Sequence, residues 1–341
     1  MILEELPLVR LRFDLETLEE AQLFPFKGDM LRMALLWWLS ENWCLEKLLG
    51  KDRCDKGCRQ PGRCLFSRLC TPPLDPTWPR KIVHLMGQNP PPAYALWDRQ
   101  DRRRSLAAGS RWSFELALVG AEALGQIPAF GAAMQQGAEQ GMGRIRLRSQ
   151  LHQVSALREH GPEVALATER QRGDKLVLTW LDYRLNEIIT DYAQAVEWAQ
   201  SYTSPVRALN LRYLSLTKIK ERGRWVEEPR FSAVARALVR RLRLLSVVHG
   251  AGEWPHEEYG PLLDLAETVR LEHDETLWGA YTRWSKSSGE QEVEGFIGSA
   301  WYTTEEDLRP LLPILWLGQW LHIGKEYVLG NGRYSIEQVY G

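Results

Sequence analysis

Alternating apolar and polar positions divide the first half of the chain into strands and helices. A two-residue period is typical of a half-buried strand, and a period of 3.6 residues is typical of an amphipathic helix. The two-residue period predicts strands at 8–14, 111–119, 144–148 with the segment after it, and 175–181. The helical period predicts helices at 28–43, 129–139 and 184–200. An irregular loop at about 44–80, rich in Pro, Gly, Arg and Cys, follows the first helix.

The same order of elements restarts after the turn at 202–205. Strands are predicted at 208–220, 294–302 and 333–339, and helices at 229–249 and 304–323. A capping box of Thr303 and Glu306 is expected to open the last helix. Two successive strand–helix–strand units predict a duplicated α+β architecture. We place the boundary near residue 203, which gives domains 1–203 and 204–341, the first with the Cys-rich loop as an insertion.

The apolar runs are too short for a membrane protein. No stretch of the 341 residues approaches the roughly 20 apolar residues of a membrane span, and the N-terminus opens with acidic residues, unlike a signal peptide. We therefore expect a cytoplasmic protein without membrane contact. In that compartment the five Cys are expected to be thiols or metal ligands, not disulfides.

Charge is unevenly distributed although the formal net charge is only −1. Residues 203–249 carry eleven Lys or Arg against three Asp or Glu, whereas residues 250–309 carry four against fourteen. This asymmetry predicts a polyanion-binding surface, and solvated helix faces are the alternative. Fifteen Trp are mostly expected in the core, although Trp also stacks on unpaired bases.

The C-terminal third carries motifs that are recognisable in their order. They are SLTKIKERGRWVEEPRFSAVARALVRRLRLLSVVHG, YTRWSKSSG, VEGFIGSAWY and LLPILWLGQWLHIGKEYVLGNGRY. Together they resemble the pre-crRNA processing endoribonucleases of the RAMP superfamily over about residues 207–341. The N-terminal half matches more loosely, through the first strand, the KGDMLR helix start, the Cys-rich loop and GMGRIRL at 141–147.

The resemblance implies a fold, an activity and a partner. It implies two tandem ferredoxin-like domains, each an antiparallel four-stranded sheet with helices on one face. It implies binding of CRISPR repeat RNA and metal-independent cleavage that leaves a 2′,3′-cyclic phosphate, so that no cofactor serves catalysis. The alternative within the superfamily is a non-catalytic subunit that binds crRNA beside other subunits of a CRISPR effector complex.

Three glycines before the last strand form a predicted RNA-binding loop. Gly324, Gly330 and Gly332 lack a Cβ, which lets backbone amides approach a phosphate and permits positive φ. Lys325 and Arg333 flank this loop and are expected to contact phosphates. Helix caps and hairpin turns also use glycine, so Gly324 is expected to cap the preceding helix.

His322 is the first candidate for proton transfer in catalysis. An imidazole takes up or releases a proton near neutral pH, and a helix C-terminus favours its protonated form. The alternative is that His322 caps the helix and holds the loop. The family often carries a His in the first helix, but here that helix has none, so Lys27, Arg32 and Lys325 are further catalytic candidates.

An Arg stripe and a basic run supply further candidates for phosphate contact. Arg236, Arg240 and Arg243 share one face of the 229–249 helix, which is a suitable phosphate track. Salt bridges to the acidic segment 250–309 are the alternative. The run RQDRRR at 99–104 is predicted to be a mobile loop that contacts RNA.

Four cysteines lie close together in the irregular loop. Cys54, Cys58, Cys64 and Cys70 have the spacing C-x3-C-x5-C-x5-C, and four thiolates bind Zn²⁺ tetrahedrally. We therefore consider a structural zinc ion here. The spacing lacks a C-x2-C pair, and buried reduced thiols are the alternative, with Cys44 available as a substitute ligand.

Overall fold

Two units make up the chain in a computed structural model that describes residues 2–50, 62–87, 89–99, 101–159, 161–172, 175–285 and 289–341. The N-terminal unit is Pro7–Thr190. The C-terminal unit is Asp191–Gly341 together with the first residues of the chain up to Leu6. No helix among the described residues is long and apolar enough to cross a membrane.

The N-terminal unit is built on one antiparallel sheet. Its strands are β1 (Leu8–Thr17), β2 (Ala21–Gln22), β3 (Tyr94–Trp97), β4 (Ser105–Leu106), β5 (Arg111–Val119), β6 (Ser149–Leu157), β7 (Val164–Arg172) and β8 (Lys175–Trp180). Its helices are α1 (Gly28–Trp43), α2 (Leu45–Leu48), α3 (Leu65–Cys70), α4 (Arg80–Met86), α5 (Ala121–Leu124), α6 (Ile127–Gln140) and α7 (Leu185–Ile188). The main sheet has the order β3-β5-β1-β6-β7-β8.

The first four strands of this order give the ferredoxin-like arrangement. The alternation of β1 buries Leu11, Phe13 and Leu15, and Phe13 stacks on Phe114 of β5 with ring centroids 4.7 Å apart. Helices α1 and α6 pack against each other and contact the sheet. The hairpin of β7 and β8 extends the sheet to six strands, two more than the resemblance implied.

The C-terminal unit repeats the ferredoxin-like arrangement without that extension. Its strands are β9 (Ala208–Thr217), β10 (Lys220–Glu221), β11 (Arg224–Trp225), β12 (Arg270–Ser285), β13 (Gly289–Thr303) and β14 (Tyr334–Tyr340). Its helices are α8 (Tyr192–Gln200), α9 (Phe231–His249), α10 (His256–Glu267) and α11 (Leu312–Leu321). The sheet order β12-β13-β9-β14 is fully antiparallel, as expected for two tandem ferredoxin-like domains.

Buried tyrosines join the sheet of the C-terminal unit to its helices. The hydroxyls of Tyr213 and Tyr302 are 2.8 Å apart, and Tyr302 also donates to the carbonyl of Pro229 just before α9. Tyr334 donates to the carbonyl of Leu315 in α11 at 2.6 Å. Each buried hydroxyl therefore has a partner, which removes the cost of burying it.

Several predicted elements differ in their ends. Thr303 is the last residue of β13, so it opens no capping box, and α11 begins at Leu312 after a 3-10 turn at Arg309–Leu311. The helix predicted at 184–200 is two helices, α7 and α8, and no strand forms at 144–148 because β6 begins at Ser149.

The division between the units precedes α8. This helix packs against α11 and against the 3-10 turn Ile2–Glu5, which places it in the C-terminal unit. Its nine residues account for most of the difference between the observed division after Thr190 and the boundary expected near residue 203.

Candidate nucleic-acid interface

A cleft of about 350 Å³ opens on the C-terminal unit. Its walls come from the end of β9, from β12 and β13, and from the segment that follows α11. The lining residues are Leu216, Lys218, Arg283, Gln291, Glu292, Val293, Glu294, Lys325, Glu326 and Asn331. Cations and carboxylates are equally numerous here, so the pairing among them decides which charges remain available to a ligand.

Two of the three cations in the cleft are close to carboxylates. The ammonium of Lys218 contacts Glu294, and this hydrogen bond lowers the pKa of the Glu294 carboxyl. The guanidinium of Arg283 lies 3.7 Å from Glu326. Lys325 is exposed and has no carboxylate partner among the residues that the structure describes. Glu292 likewise has no cation partner among those residues, so the cleft presents one unpaired ammonium group and one unpaired carboxylate, and Lys325 is the group suited to a phosphate.

Three lysines surround one exposed tryptophan beside this cleft. The Nζ atoms of Lys218, Lys325 and Lys220 lie 4.4, 4.7 and 5.4 Å from the ring centroid of Trp225. The backbone amide of Lys325 donates to the carbonyl of Lys218 at 3.0 Å, which brings the two lysines together. We call these four residues the Trp225 cluster. It combines an aromatic face with concentrated positive charge, the two features that bind unpaired nucleotides.

Two buried arginines occupy the C-terminal end of α11. Arg241 Nε donates to the carbonyl of Leu321 at 3.2 Å, and Arg333 donates to the carbonyl of Gln319. Arg241 is 6% exposed and Arg333 is 5% exposed. The carbonyl end of a helix carries partial negative charge, which these two cations offset. Arg333 was predicted to contact phosphate, but it is buried here and serves the helix end.

His322 follows this helix end and is 2% exposed. Its Nδ1 donates to the carbonyl of Asn331 at 3.0 Å. Burial, together with the nearby charges of Arg333 and Arg241, lowers the pKa of the imidazole well below 6.5. The prediction that the helix end favours the protonated form is therefore wrong. The two guanidinium groups already neutralise the carbonyls, and they repel a third positive charge.

The backbone of His322 is as unusual as its environment. Its φ of 58° and ψ of 158° lie in a region that is essentially restricted to glycine and costs about 1–3 kcal/mol in other residues. The hydrogen bond to Asn331 holds this conformation, and Asn331 in turn donates to the Tyr281 hydroxyl at 3.0 Å. These contacts favour the alternative that His322 holds the loop, because a buried ring does not reach an RNA.

The predicted glycine loop has the expected backbone but another use for its amides. The φ values of Gly324, Gly330 and Gly332 are 77°, 90° and 75°. A Cβ on Gly332 would lie 1.8 Å from the carbonyl oxygen of Ile323, so only glycine fits there. Helix α11 ends at Leu321, so Gly324 is not its cap, contrary to our expectation.

The amides of this loop are already hydrogen-bonded within the chain. Gly330 donates to the carbonyl of Tyr327 at 3.2 Å, and Gly332 donates to the carbonyl of Leu216 at 3.0 Å. Gly330 and Gly332 are also buried. This geometry does not support the predicted contact between the Gly330 and Gly332 amides and a phosphate. The glycines instead shape the segment that carries Lys325.

Two of the three arginines in the predicted phosphate track form ion pairs with acidic residues. Arg236 contacts Glu267, and Arg243 lies 2.8 Å from Glu253. Both carboxylates belong to the acidic segment 250–309, as the alternative expected. Arg240 is exposed on the same helix. A continuous basic stripe on α9 is therefore not available.

Lys27 is buried just before α1, where it contacts Asp101 and Arg103 of the basic run. Its ammonium lies 3.4 Å from Asp101 and donates to the carbonyl of Arg103 at 3.2 Å. Burial lowers the pKa of Lys27. Burial alone would raise the pKa of Asp101, but hydrogen bonds from Arg103 and the charge of Lys27 lower it to about 2. Lys27 is thus a structural cation with 2% exposure, and Arg103 pairs with Asp101.

Arg32 and Lys325 are the two catalytic candidates with accessible side chains. Arg32 is half-buried on α1, and its Nε is buried without a hydrogen-bond partner among the described residues. Its charge lowers the pKa of the Cys70 thiol, although burial has the larger effect and raises that pKa. A role of Arg32 in cleavage stays a prediction.

The proposed zinc ligands are only partly described. Cys54 and Cys58 lie outside the described residues. Cys64 and Cys70 are buried and reduced, and Cys64 Sγ accepts a hydrogen bond from the Ser67 amide at 3.3 Å. Within the described ranges, no three His, Cys, Asp or Glu side chains form a metal site. Zinc binding by the four cysteines stays a prediction.

Lys218, Lys220, Trp225 and Arg283 were not among the predicted site residues. One signal was present in the segment KIKERGRW, where alternation points Lys218 and Lys220 away from the buried Ile219. The sequence near Lys325 could not predict its contact with this segment, since about a hundred residues separate the two.

Two family models match the chain. The model AF_1859_N, described as an N-terminal domain, matches residues 6–176. The model of the CRISPR-associated endoribonuclease Cas6 matches residues 211–334, which cover the cleft and the Trp225 cluster. No curated protein sequence matches the chain.

Solved Cas6 structures share the fold over the whole chain. The Cas6 (TTHB231) product complex is 15% identical with a TM-score of 0.55, and the match covers 97% of this chain and 99% of that one. Thermus thermophilus Cas6 (TTHB231) is 13% identical with a TM-score of 0.52, covering 96% and 98%. The partial Cas6-RT-Cas1--Cas2 complex is 12% identical with a TM-score of 0.57, covering 100% and 47%.

At these identities the structural likeness concerns the fold, and the family models carry the assignment. The first model covers the N-terminal unit and the second covers the unit that contains the cleft. The N-terminal unit therefore carries a domain of the AF_1859_N type, and the C-terminal unit belongs to the Cas6 family of CRISPR-associated endoribonucleases.

Proposed function

We propose that this chain binds CRISPR repeat RNA and cleaves pre-crRNA into guide RNAs. The observation that carries the proposal is that the Cas6 match at residues 211–334 contains both the cleft and the Trp225 cluster. The cluster supplies cations and an aromatic face, which suit an RNA strand. The similar solved structures include a Cas6 product complex, which agrees with this class of ligand.

We propose cleavage by the 2′-hydroxyl of the RNA itself. The 2′-oxygen forms a bond to phosphorus as the bond from phosphorus to the 5′-oxygen breaks. The 2′-hydroxyl loses its proton, the 5′-oxygen gains one, and a 2′,3′-cyclic phosphate remains. The substrate supplies its own nucleophile, so the reaction requires positioned cations and proton transfer but no metal-bound hydroxide.

Lys325 is our first candidate for stabilising the charge that develops on the phosphorane. It is exposed in the cleft, and its ammonium forms no ion pair with a described carboxylate. Its backbone is fixed by the hydrogen bond to Lys218 and by the adjacent Gly324, whose φ is 77°. Arg32 is the second accessible candidate, on the other unit. His322 and Lys27, both 2% exposed, act as positioning residues in this proposal.

One observation favours a second function. Since His322 is buried and the described lining of the cleft includes no histidine, no imidazole is available there for proton transfer near neutral pH. A non-catalytic subunit that binds crRNA in an effector complex needs none. Repeat RNA is the partner in both proposals, and other CRISPR effector subunits are partners in the second. Both place the protein in the cytoplasm, and neither requires a catalytic cofactor.

The experiment is a cleavage assay with the repeat RNA of the same genome. We expect the pure protein to cleave this RNA at one position in the presence of EDTA. Lys325→Gln is expected to slow single-turnover cleavage about 10²–10³-fold at saturating RNA. Lys81→Gln removes another exposed lysine, on α4 of the other unit, and is expected to keep the wild-type rate.

Three results would change the proposal. Tight binding without cleavage would support the non-catalytic subunit. Neither binding nor cleavage would contradict both functions. Cleavage by Lys325→Gln at the wild-type rate would keep the enzyme and remove Lys325 from its mechanism.

A further inference from the structure

We propose that the Trp225 cluster binds an unpaired nucleotide, with the base against the indole ring and the adjoining phosphates on the lysines. The inference deepens the proposed function and rests on it for the identity of the polymer as RNA. Four observations support it: the construction of the hairpin, the exposure of the ring, the crowding of the ammonium groups, and two ammonium groups that contact no carboxylate among the described residues.

The hairpin of β10 and β11 holds Trp225 in a defined place. Ile219 and Val226 are 2% and 3% exposed, and the amide of Val226 donates to the carbonyl of Ile219 at 3.0 Å. The turn residues Arg222 and Gly223 both have positive φ, 47° and 85°, as in the tight turns that suit two-residue hairpins. Two buried side chains thus anchor a short hairpin whose other face carries Trp225.

The indole ring remains accessible although it is the largest apolar side chain on the hairpin. Trp225 is 39% exposed, and it pairs across the hairpin with Lys220. The lysine ammonium groups over the ring can move aside when a base binds, because lysine side chains are flexible. A nucleobase, which has a flat face of similar size, gains stacking energy on such a ring irrespective of its sequence.

The ammonium groups are closer together than isolated surface lysines. Their distances from the ring centroid are 4.4, 4.7 and 5.4 Å, so no two of them lie more than about 10 Å apart. This separation is about one Debye length at 0.1 M salt, where repulsion between like charges persists. A bound anion would turn that repulsion into attraction.

Among the described residues, one of the three lysines forms an ion pair with a carboxylate. Lys218 contacts Glu294, whereas Lys220 and Lys325 have no carboxylate partner in the part of the chain that the structure describes. Glu221, the neighbour of Lys220, instead pairs with arginines of the α9 region. Two ammonium groups therefore remain available beside the ring.

The combination favours an unpaired RNA strand over a duplex or an acidic peptide. In a duplex each base is already stacked between its neighbours, so its face is not available to the indole. An acidic peptide would satisfy the lysines but would leave the ring without a matching flat surface. A single strand presents phosphates and free base faces at once.

The test measures binding of a labelled single strand of about eight uridines by fluorescence anisotropy, separately from cleavage. Trp225→Ala is expected to weaken this binding about 5- to 150-fold, and Trp225→Phe much less, because phenylalanine keeps an aromatic face. Binding of a fully paired RNA duplex is expected to change little. Trp37→Ala is the control, since Trp37 is 53% exposed with one lysine over its ring.

The lysines are tested through the salt dependence of the same binding. Lys220→Gln is expected to reduce the slope of log Kd against log salt by about 0.7, the value for one phosphate contact in a single strand. Trp225→Ala is expected to leave that slope nearly unchanged. The two variants therefore separate stacking from charge.

Three outcomes would overturn the inference. The first is that a folded Trp225→Ala variant binds the uridine strand with the wild-type Kd. The second is that Trp225→Ala weakens single-strand binding and duplex binding equally. The third is that Trp225→Ala weakens the binding of polyglutamate, measured by competition, as much as it weakens the binding of the uridine strand. Loss of binding in both Trp225→Ala and Trp225→Phe, with melting temperatures unchanged, would also count against stacking. Failure of the repeat-cleavage assay alone would contradict the proposed function but not this site.

Discussion

Replacing His322 by alanine should remove a specific dependence of stability on pH. The pKa of His322 is well below 6.5 in the folded protein, whereas an unfolded histidine has its ordinary pKa of about 6.5. Below that pH the unfolded chain binds a proton that the folded chain does not. Stability contributed by the neutral His322 is therefore complete at pH 7.5 and falls as the pH is lowered.

The size of the change in stability follows from the one proton that the unfolded chain binds and the folded chain does not. Each pH unit below 6.5 costs about 1.4 kcal/mol until the pKa of the folded state is reached. From pH 7.5 to 5.5 the loss is about 1.4 kcal/mol, which corresponds to roughly 3–6 °C in Tm for a unit of this size. His322→Ala lacks this loss, although it is less stable at every pH because the Asn331 carbonyl loses its partner, at about 1–3 kcal/mol.

The assay is calorimetric unfolding of the full chain at pH 7.5, 6.5 and 5.5, in buffers of the same ionic composition. Leu245→Ala is the control, because it removes a fully buried, uncharged side chain of α9 in the same unit. It is expected to lower Tm equally at each pH. Parallel pH profiles for the wild type and His322→Ala would refute the reasoning. They would mean that His322 titrates normally, and its candidacy as a catalyst would revive.

Two further predictions concern the loop and the cysteines. Gly332→Ala should lower the free energy of unfolding by about 3–5 kcal/mol, because its Cβ would meet the Ile323 carbonyl. Gly223→Ala is the control with open space around the new Cβ, and it should lower that free energy by about 1–2 kcal/mol. Both values are measured by chemical denaturation, and equal values would show that the loop around Gly332 relaxes. The purified protein is expected to contain about one Zn²⁺ by elemental analysis, which Cys64→Ser releases with a lower Tm; metal-free protein with an unchanged Tm in Cys64→Ser would leave buried thiols.

Local periodicity predicted those elements whose burial follows one face. The predicted strand at 111–119 and the helix at 28–43 have the ends of β5 and α1. The helix predicted at 229–249 differs from α9 by two residues. Each has an apolar face that its own sequence reveals. By contrast, β7 was missed because its apolar residues cluster at one end without a two-residue period. Helix α10 was missed although Tyr259, Leu263 and Ala266 have helical spacing, because Pro261 interrupts the pattern.

The fates of individual polar residues could not be predicted locally. Lys27 and Arg333 read as basic residues near candidate loops, yet both are buried by segments distant in sequence. Arg236 finds Glu267 only after α9 and α10 pack together. The carbonyls at the end of α11 attract cations, as expected, but they bind Arg241 and Arg333 instead of a protonated His322. Which cation binds such carbonyls depends on tertiary contacts, which a local sequence pattern does not reveal.

The Trp225 cluster is the clearest case of a site assembled by the fold. Lys218 precedes the hairpin and Lys220 belongs to its first strand, whereas Lys325 comes from the segment after α11. The resemblance identified that segment as functional and attributed its role to glycine amides. The structure instead shows that the glycines allow a tight turn, and that a lysine beside them reaches the exposed ring.

The most direct test of the central claim is cleavage of repeat RNA that carries one 2′-deoxy nucleotide at the scissile position. We first map that position with unmodified RNA in EDTA. The account predicts that the single deoxy substitution abolishes cleavage while the RNA still binds with the same Kd, and that unmodified RNA yields a 2′,3′-cyclic phosphate end. Cleavage of the deoxy substrate at the unmodified rate, or cleavage that requires added Mg²⁺, would contradict attack by the 2′-hydroxyl.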